Sequence, residues 1–481
     1  MGGDLLSLTR NVVSRSARLY ACALLTTLVV MAGFFALSFA ATFIDERAIA
    51  EKLVRASAAH AFEQRWAAAT GRQIPRFGGN DCLMLAALLQ DYPNRTAQAI
   101  SARIPRADAQ PPARAGDPTI PACLQLVAAL NRAEHGDPDA IYYHRYLHGQ
   151  RVFAAFALAV VSPQALGWIT LALNTLVLLL VLVPALRRAR GSPTSARERS
   201  FAVMAATLLL FSGLWLFGIY FSFGLSDLVL AAFLGCAYHC GIAHAEERRF
   251  AVAVALFGAA TAIFEFLTGG IPSGLALLLG LVALDGPPDR EALLRRAFHG
   301  TMIFALAIVL TFAIKLALVT LFVDPHVLSD FRSALSTRLG TSFIDSLPSQ
   351  EVAWLANRGI DVSSLDHHWA LALLYMLARL AYATLVIGFG SPTLGMLIMG
   401  GAIVAGAGLM IHRVRAAHDA ITRTRLLILL GSALVVPAWS VLFLNHTLLH
   451  AIWMVRPFAW FIALAGLLLW WPADGRAAHR S

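Results

Sequence analysis

Charge is scarce in these 481 residues. Only 14% of them are Asp, Glu, Lys or Arg and 58% are hydrophobic. A soluble domain is about a quarter charged, so this scarcity excludes an ordinary water-soluble fold. No internal repeat is visible, which weakens a transporter built from inverted halves. Zinc-holding CxxC or CxxH pairings are missing too, and no metal is expected. Of five cysteines, Cys22, Cys236 and Cys240 lie in apolar runs, leaving Cys82 and Cys123 in one polar stretch.

What is present is a series of apolar runs, counted against the roughly 20 residues a helix needs to cross the hydrocarbon core. About ten such spans are expected, near 19–43, 165–186, 200–221, 225–243, 250–267, 271–284, 298–322, 392–411, 425–444 and 457–471. The formal charge of +10 does not point to nucleic acid, because the arginines gather in the short connectors and there set orientation. Arg10, Arg15 and Arg18 precede the first run, and Arg-rich connectors at 187–199, 285–296 and 412–425 follow. The positive-inside rule makes these cytoplasmic, along with both termini, in a bacterial inner membrane. None of them carries a Gly-rich phosphate loop or a DxD pair. A cleaved signal peptide is the alternative for the first run, whose length favours a retained anchor.

The expected organisation is an anchor helix at 1–43, an extracytoplasmic cap loop at 44–151, a transmembrane bundle at 152–323, a second outer loop at 324–391 and C-terminal helices at 392–481. Val152–Val161 is too short to span and Ser162-Pro163 breaks it, so it is expected to be interfacial or re-entrant. Parity allows only one of 367–388 and 392–411 to cross if the connector at 412–425 is to stay inside, and 367–388 is taken as re-entrant. Cys82 and Cys123 then share an oxidising compartment, where a disulfide between them is expected, two unpaired thiols being the alternative.

Polar residues collect at the outer ends of the spans: Asp45, Glu46, His144, Arg145, His148, Arg151, Asp227, Glu265, Asn445, His446, His450 and Arg456. Lys315 lies two turns below an outer end, and an ionisable group at membrane depth is a functional candidate by default. Its alternatives are snorkelling or an ion pair with Glu265. Tyr143 to Arg151 mixes aromatics and cations, the chemistry of a phosphate site at headgroup level or of an ordinary interfacial belt. Glu265, among aromatics at a helix end, has the surroundings of a base or of a helix cap. His446 and His450 are spaced like a two-His metal pair, but Thr447 stands where such a motif has Glu.

Tyr143 to Gln150, Phe264 to Thr268 and Asn445 to Arg456 resemble, in this order along the whole chain, the YxRYWHGY, FDFLT and NHSxxHxxFTxR motifs of an uncharacterised family of bacterial multi-pass membrane proteins. The departures are Leu147 for Trp, Gln150 for an aromatic, Glu265 for Asp, and Met454-Val455 for Phe-Thr. By architecture the chain is similar to the GT-C glycosyltransferases, whose long first outer loop carries an acidic pair near the end of helix one, the place Asp45-Glu46 occupies. That likeness is fold-level analogy. It implies an all-α polytopic, GT-C-like fold and sugar transfer from a polyprenyl-phosphate donor to a saccharide or glycolipid acceptor at the periplasmic face, with no cofactor. Asp45 is the expected base and Glu46 or Glu265 its substitute or orienter. Tyr143, Arg145, His148, Lys315, Asn445, His446, His450 and Arg456 are the expected phosphate and substrate contacts. A flippase for a lipid-linked saccharide and a non-catalytic assembly subunit are the alternatives.

Overall fold

The computed structural model describes residues 2–62, 64–67, 72–75, 79–104, 123, 126–127, 129–130, 141–144, 146–191, 196–265, 269–339 and 368–471. The chain is an all-α polytopic membrane protein. Its described elements run α1 (Gly2–Ala41), α2 (Glu46–Ala58), β1 (Gln64–Ala67), β2 (Arg72–Pro75), α3 (Gly79–Ala86), α4 (Arg95–Ile100), β3 (Ala102–Ile104) and β4 (Ile141–Tyr143). After these come α5 (Gly149–Val160), α6 (Pro163–Gly191), α7 (Ala196–Phe211), α8 (Leu214–Phe217), α9 (Phe221–Cys240), α10 (Glu247–Phe264), α11 (Gly270–Asp285), α12 (Arg290–Phe322) and α13 (Val327–Leu339). The last are α14 (Trp369–Ala383), α15 (Pro392–Ala416), α16 (Ala420–Leu442), α17 (Leu444–Leu449), α18 (Ala451–Met454) and α19 (Trp460–Leu469). The strands pair as two antiparallel ladders, β1 with β2 and β3 with β4.

Among the described residues, eight helical stretches are long and apolar enough to cross a membrane: Ser16–Ala41, Pro163–Arg190, Phe221–Cys240, Arg290–Phe322, Trp369–Val386, Pro392–Ala416, Ala420–Leu442 and Ala451–Leu469. Several begin where short polar side chains can accept from the first-turn amides that lack intrahelical partners. Asp289 accepts from Ala292 N at 2.8 Å, Asp419 from Thr422 N at 2.7 Å, and Ser391 from Leu394 N at 3.2 Å ahead of Pro392.

The arginine-rich connectors meet at one end of the bundle. Arg197 Nε donates to Asp285 Oδ1 at 2.8 Å, and Arg296 donates to the Ala243 carbonyl at 2.7 Å. Arg425 donates to the carbonyls of Ala283, Gly286 and Pro287 at 2.7–2.9 Å. Both ends of the described chain come to this arginine face. Tyr20 of α1 hydrogen-bonds His299 near the start of α12 at 2.9 Å, and Arg199 lies over the Trp470 ring.

The opposite face carries the cap. Its core (Ile49, Leu53, Cys82, Met84, Leu85, Leu126 and Tyr146) is continuous with Leu158 of α5, Leu166 of α6 and Phe221 and Leu225 of α9. Cys82 and Cys123 are bonded inside that core, 5.0 Å apart at Cα. Two contacts fasten cap to bundle. Asp81, fully buried, accepts from the first-turn amide of Ser222 at 2.9 Å, and Lys52 donates to the Leu158 and Ala159 carbonyls at the C-terminus of α5.

The structure departs from the expected spans at the cap face. The run at 200–221 is not one helix: α7 stops at Phe211, and Gly213 takes a left-handed conformation (φ 85°) that starts the short turn α8. Helices α7 and α11 have 16 residues each, about 24 Å of rise against a core of about 30 Å. Their ends therefore stop at depth. Of the run 367–388, whose first residue lies outside the described residues, Trp369–Ala383 forms α14 and Thr384–Val386 a 3₁₀ turn, and these pack on α17, α18 and the N-terminus of α15, all at the cap end.

Candidate functional site

Among the described residues, three polar groupings at the cap face hold the expected site residues other than Asn445, His446 and His450. The first is the acidic corner after α1. Asp45 is exposed and caps α2, its carboxylate accepting from Arg47 N at 3.0 Å. Glu46, also exposed, accepts from Gln98 Nε2 at 2.7 Å.

The second grouping is basic and buried. His148 sits just before α5 in a left-handed conformation (φ 62°) that Gly149 follows into the helix. A Cβ at Gly149 would lie within 2.9 Å of Ile263 and Phe264 side-chain atoms, so only glycine lets this turn press on the end of α10. Gln150 fastens the same junction by donating to the Phe264 carbonyl. His148 Nε2 is 2.6 Å from the Tyr143 carbonyl, and its ring stacks on Tyr143 at 5.3 Å. His144 Nδ1 is 2.8 Å from Ser101 Oγ, with Nε2 3.6 Å from Asp324 Oδ2. Arg151 donates to Tyr92 Oη at 3.1 Å and to the Gln98 carbonyl.

Into this group comes Lys315 of α12. It is 1% exposed, and its Nζ has no hydrogen-bond partner among the described residues. Burial lowers the proton affinity of both His144 and His148, and the Lys315 charge lowers both further, with Arg151 adding to the effect at His148. Asp324 acts oppositely on His144, with Asp330 helping. Lys315 neither snorkels nor forms an ion pair with Glu265.

Glu265 belongs to the third grouping, where short helices end. Its Oε2 accepts from Ser226 Oγ at 2.9 Å and from Gly270 N at 3.1 Å, so the carboxylate caps the start of α11 as helix N-termini favour. Arg456 donates through Nε to the Ser212 carbonyl at 2.7 Å, just past the C-terminus of α7, and pairs with Asp227 through Nη2. Ser212, Ser226, Asp227, Gly270 and Arg456 line a cavity of about 30 Å³ with Thr207, Ser273, Gly269 and Trp460, room for one or two waters.

Asn445 and His446 are buried, and the His446 and His450 rings lie 4.6 Å apart. No cluster of three or more His, Cys, Asp or Glu able to hold a metal occurs among the described residues. Arg145, and residues 266–268 of the Phe264 motif, lie outside the described residues.

Tyr143, His148 and Lys315 are thus brought together, whereas Arg456 and Glu265 join a separate, internally satisfied node and Asp45-Glu46 stay at the surface. Sequence reasoning gave no specific role to Asp81, Ser212, Ser226 or Asp324. The polar interruptions Ser212-Gly213 and Ser226-Asp227 within apolar runs were the available signal for two of them. Compared with family models, curated proteins and solved structures, the chain matches none.

Proposed function

We propose that the protein transfers a sugar from a polyprenyl-phosphate donor to an envelope acceptor at the cap face, from a bundle of about ten spans arranged as in GT-C enzymes. One observation carries this reading: basic side chains are gathered at membrane depth beneath a disulfide-bonded cap, on the face opposite the arginine connectors. If the positive-inside rule holds, that face is periplasmic. The short helices α7, α10 and α11 join the spans in this scheme because their ends alternate between the two faces.

In the reaction a carboxylate takes the proton of the acceptor hydroxyl while the oxygen attacks the anomeric carbon. The bond to the phosphate oxygen breaks and polyprenyl phosphate leaves with the electron pair, held by cations. Asp45 and Glu46 are open to an acceptor arriving from water, and Glu46 is linked through Gln98 to Arg151. Glu265 is engaged by Ser226 and Gly270, which suits an orienting role.

The test is reconstitution of purified protein with polyprenyl-phosphate sugars and detection of glycosylated product. Asp45→Asn should lose about 10²–10⁴-fold in rate and Asp45→Glu less. Unaltered turnover in Asp45→Asn, Glu46→Gln and Glu265→Gln alike would leave the transferase reading without a base.

A further inference from the structure

The chain contains only two lysines among its 38 Lys and Arg residues. Lys52 closes the C-terminus of α5. Lys315 closes nothing. It is enclosed by the protein with all of its donors unmet among the described residues, and Thr311, one turn away on the same helix face, has a fully buried hydroxyl that is likewise without a partner there. An amine so placed is costly, because even a neutral one keeps unmet donors and a charged one lacks a counter-ion. The titratable groups around it add no full compensation. Arg151, His144 and His148 act with it, and Asp324 stands 3.6 Å from His144 Nε2, which has no hydrogen-bond partner among the described residues. Buried Arg456, by contrast, is met by Asp227 and Ser212, and half-buried Arg425 by three carbonyls.

We infer that Lys315, with His144, His148 and Arg151, forms a binding site for a phosphoryl anion that supplies the missing acceptors. Three oxygens on one phosphorus match a compact ammonium, two imidazoles and a guanidinium edge. Arg456 is outside this site. The identification of the phosphoryl group as part of a lipid rests on the sugar-transfer reading above; the anion site does not.

The experiment uses the full chain in nanodiscs of phosphatidylcholine, with farnesyl phosphate, inorganic phosphate, inorganic pyrophosphate and, as control, farnesol. Binding is read as a dissociation constant and as the shift in unfolding temperature. Wild-type protein should bind a phosphate-bearing probe and ignore farnesol. Preference for farnesyl phosphate assigns the site to a lipid, and equal or better binding of the inorganic anions assigns it to a free anion. Lys315→Met should weaken binding at least tenfold, about 1.4 kcal/mol, while leaving the ligand-free protein as stable as wild type or more so. Lys315→Arg and Lys315→Gln separate charge from packing: Gln should lose binding as Met does, and Arg should retain more of it. A structural role predicts the reverse for Lys315→Met, namely lower stability or failure to fold with no selective loss of affinity, and either result overturns the site. So does the absence of binding by every phosphate-bearing probe. If the anion binds in a Lys315-dependent way but no sugar is ever transferred, the transfer reading fails and the site stands.

Discussion

Arg456 decides whether the third polar grouping is scaffold or site. Its side chain and that of Asp227 are 8% and 11% exposed, and its Nε also satisfies the Ser212 carbonyl just past the end of α7. Replacing it by Met would leave a buried carboxylate without its counter-charge and a carbonyl without a donor. Breaking a buried pair from one side costs about 3–5 kcal/mol. Asp227→Asn alone should cost a similar amount by stranding the guanidinium. The double variant removes both charges together, so it should be less destabilised than the sum of the singles by about 2 kcal/mol or more. The measurement is SDS-driven unfolding in mixed micelles, followed by the fluorescence of Trp453 and Trp460 beside the node. Additive effects within about 0.5 kcal/mol, with each single change costing under about 1 kcal/mol, would refute the buried-pair argument and return Arg456 to the set of candidate phosphate ligands. Coupling with retained phosphate binding would fix it as a helix-end clamp.

Four further outcomes follow from the geometry. Gly270→Ala places a Cβ 2.0 Å from Glu265 Oε2 and 2.7 Å from Ser226 Oγ, so the variant should lose about 1–3 kcal/mol in the same unfolding assay; a neutral result would mean that Glu265 does not hold the start of α11. Loss of the Cys82–Cys123 bond, which spans 41 residues, should destabilise the cap by about 4 kcal/mol on chain-entropy grounds, read as faster proteolysis of Cys82→Ser/Cys123→Ser within the cap. Tags after residues 195 and 418 should report one compartment and a tag at residue 110 the other; discordance between 195 and 418 would break the two-face arrangement. His148 is kept neutral in the folded protein by burial, then by Lys315, and further by Arg151 and His144, against its bond to the Tyr143 carbonyl. The unfolded chain protonates this histidine near pH 6.5, so its stability contribution is present above that pH and lost as pH falls. Unfolding midpoints between pH 7.5 and 5.5 should therefore fall less steeply for His148→Gln than for wild type.

The long helices and the arginine face are legible in the sequence because each depends on local composition: an apolar run of sufficient length and a connector such as Arg187 to Arg199. Interruptions inside a run are harder to see. Ser212-Gly213 ends α7 at depth, yet in the sequence it is one polar residue and one glycine in apolar surroundings that read as a continuous span. Least legible are partners. Arg456 and Asp227 are 229 positions apart, and the charge of Lys315 acts on His144 and His148, more than 160 residues earlier. Spacing places each at the outer end of a helix and cannot say which ends meet, so one expected site becomes three groupings in the structure. The acidic corner stays at the surface, where one Asp45 oxygen also caps α2.

The two buried groupings share a boundary, and their difference in satisfaction assigns their roles. The turn at His148–Gln150 presses on Ile263 and Phe264 and is bonded to the Phe264 carbonyl; the next residue is Glu265. On the Glu265 side the carboxylate accepts from Ser226 and Gly270, and the Ser212 carbonyl just past α7 accepts from Arg456. On the Lys315 side, Lys315 Nζ and Thr311 Oγ1 are buried without a partner among the described residues. A membrane interior enforces satisfaction more strictly than water does, so an unmet group kept there is better explained by a missing ligand than by tolerance. The Glu265 node then serves to hold α7, α10 and α11 at the depth that lets the His148 turn meet α12. A substitution in that node should damage anion binding only in proportion to its damage to stability, whereas Lys315→Met should separate the two.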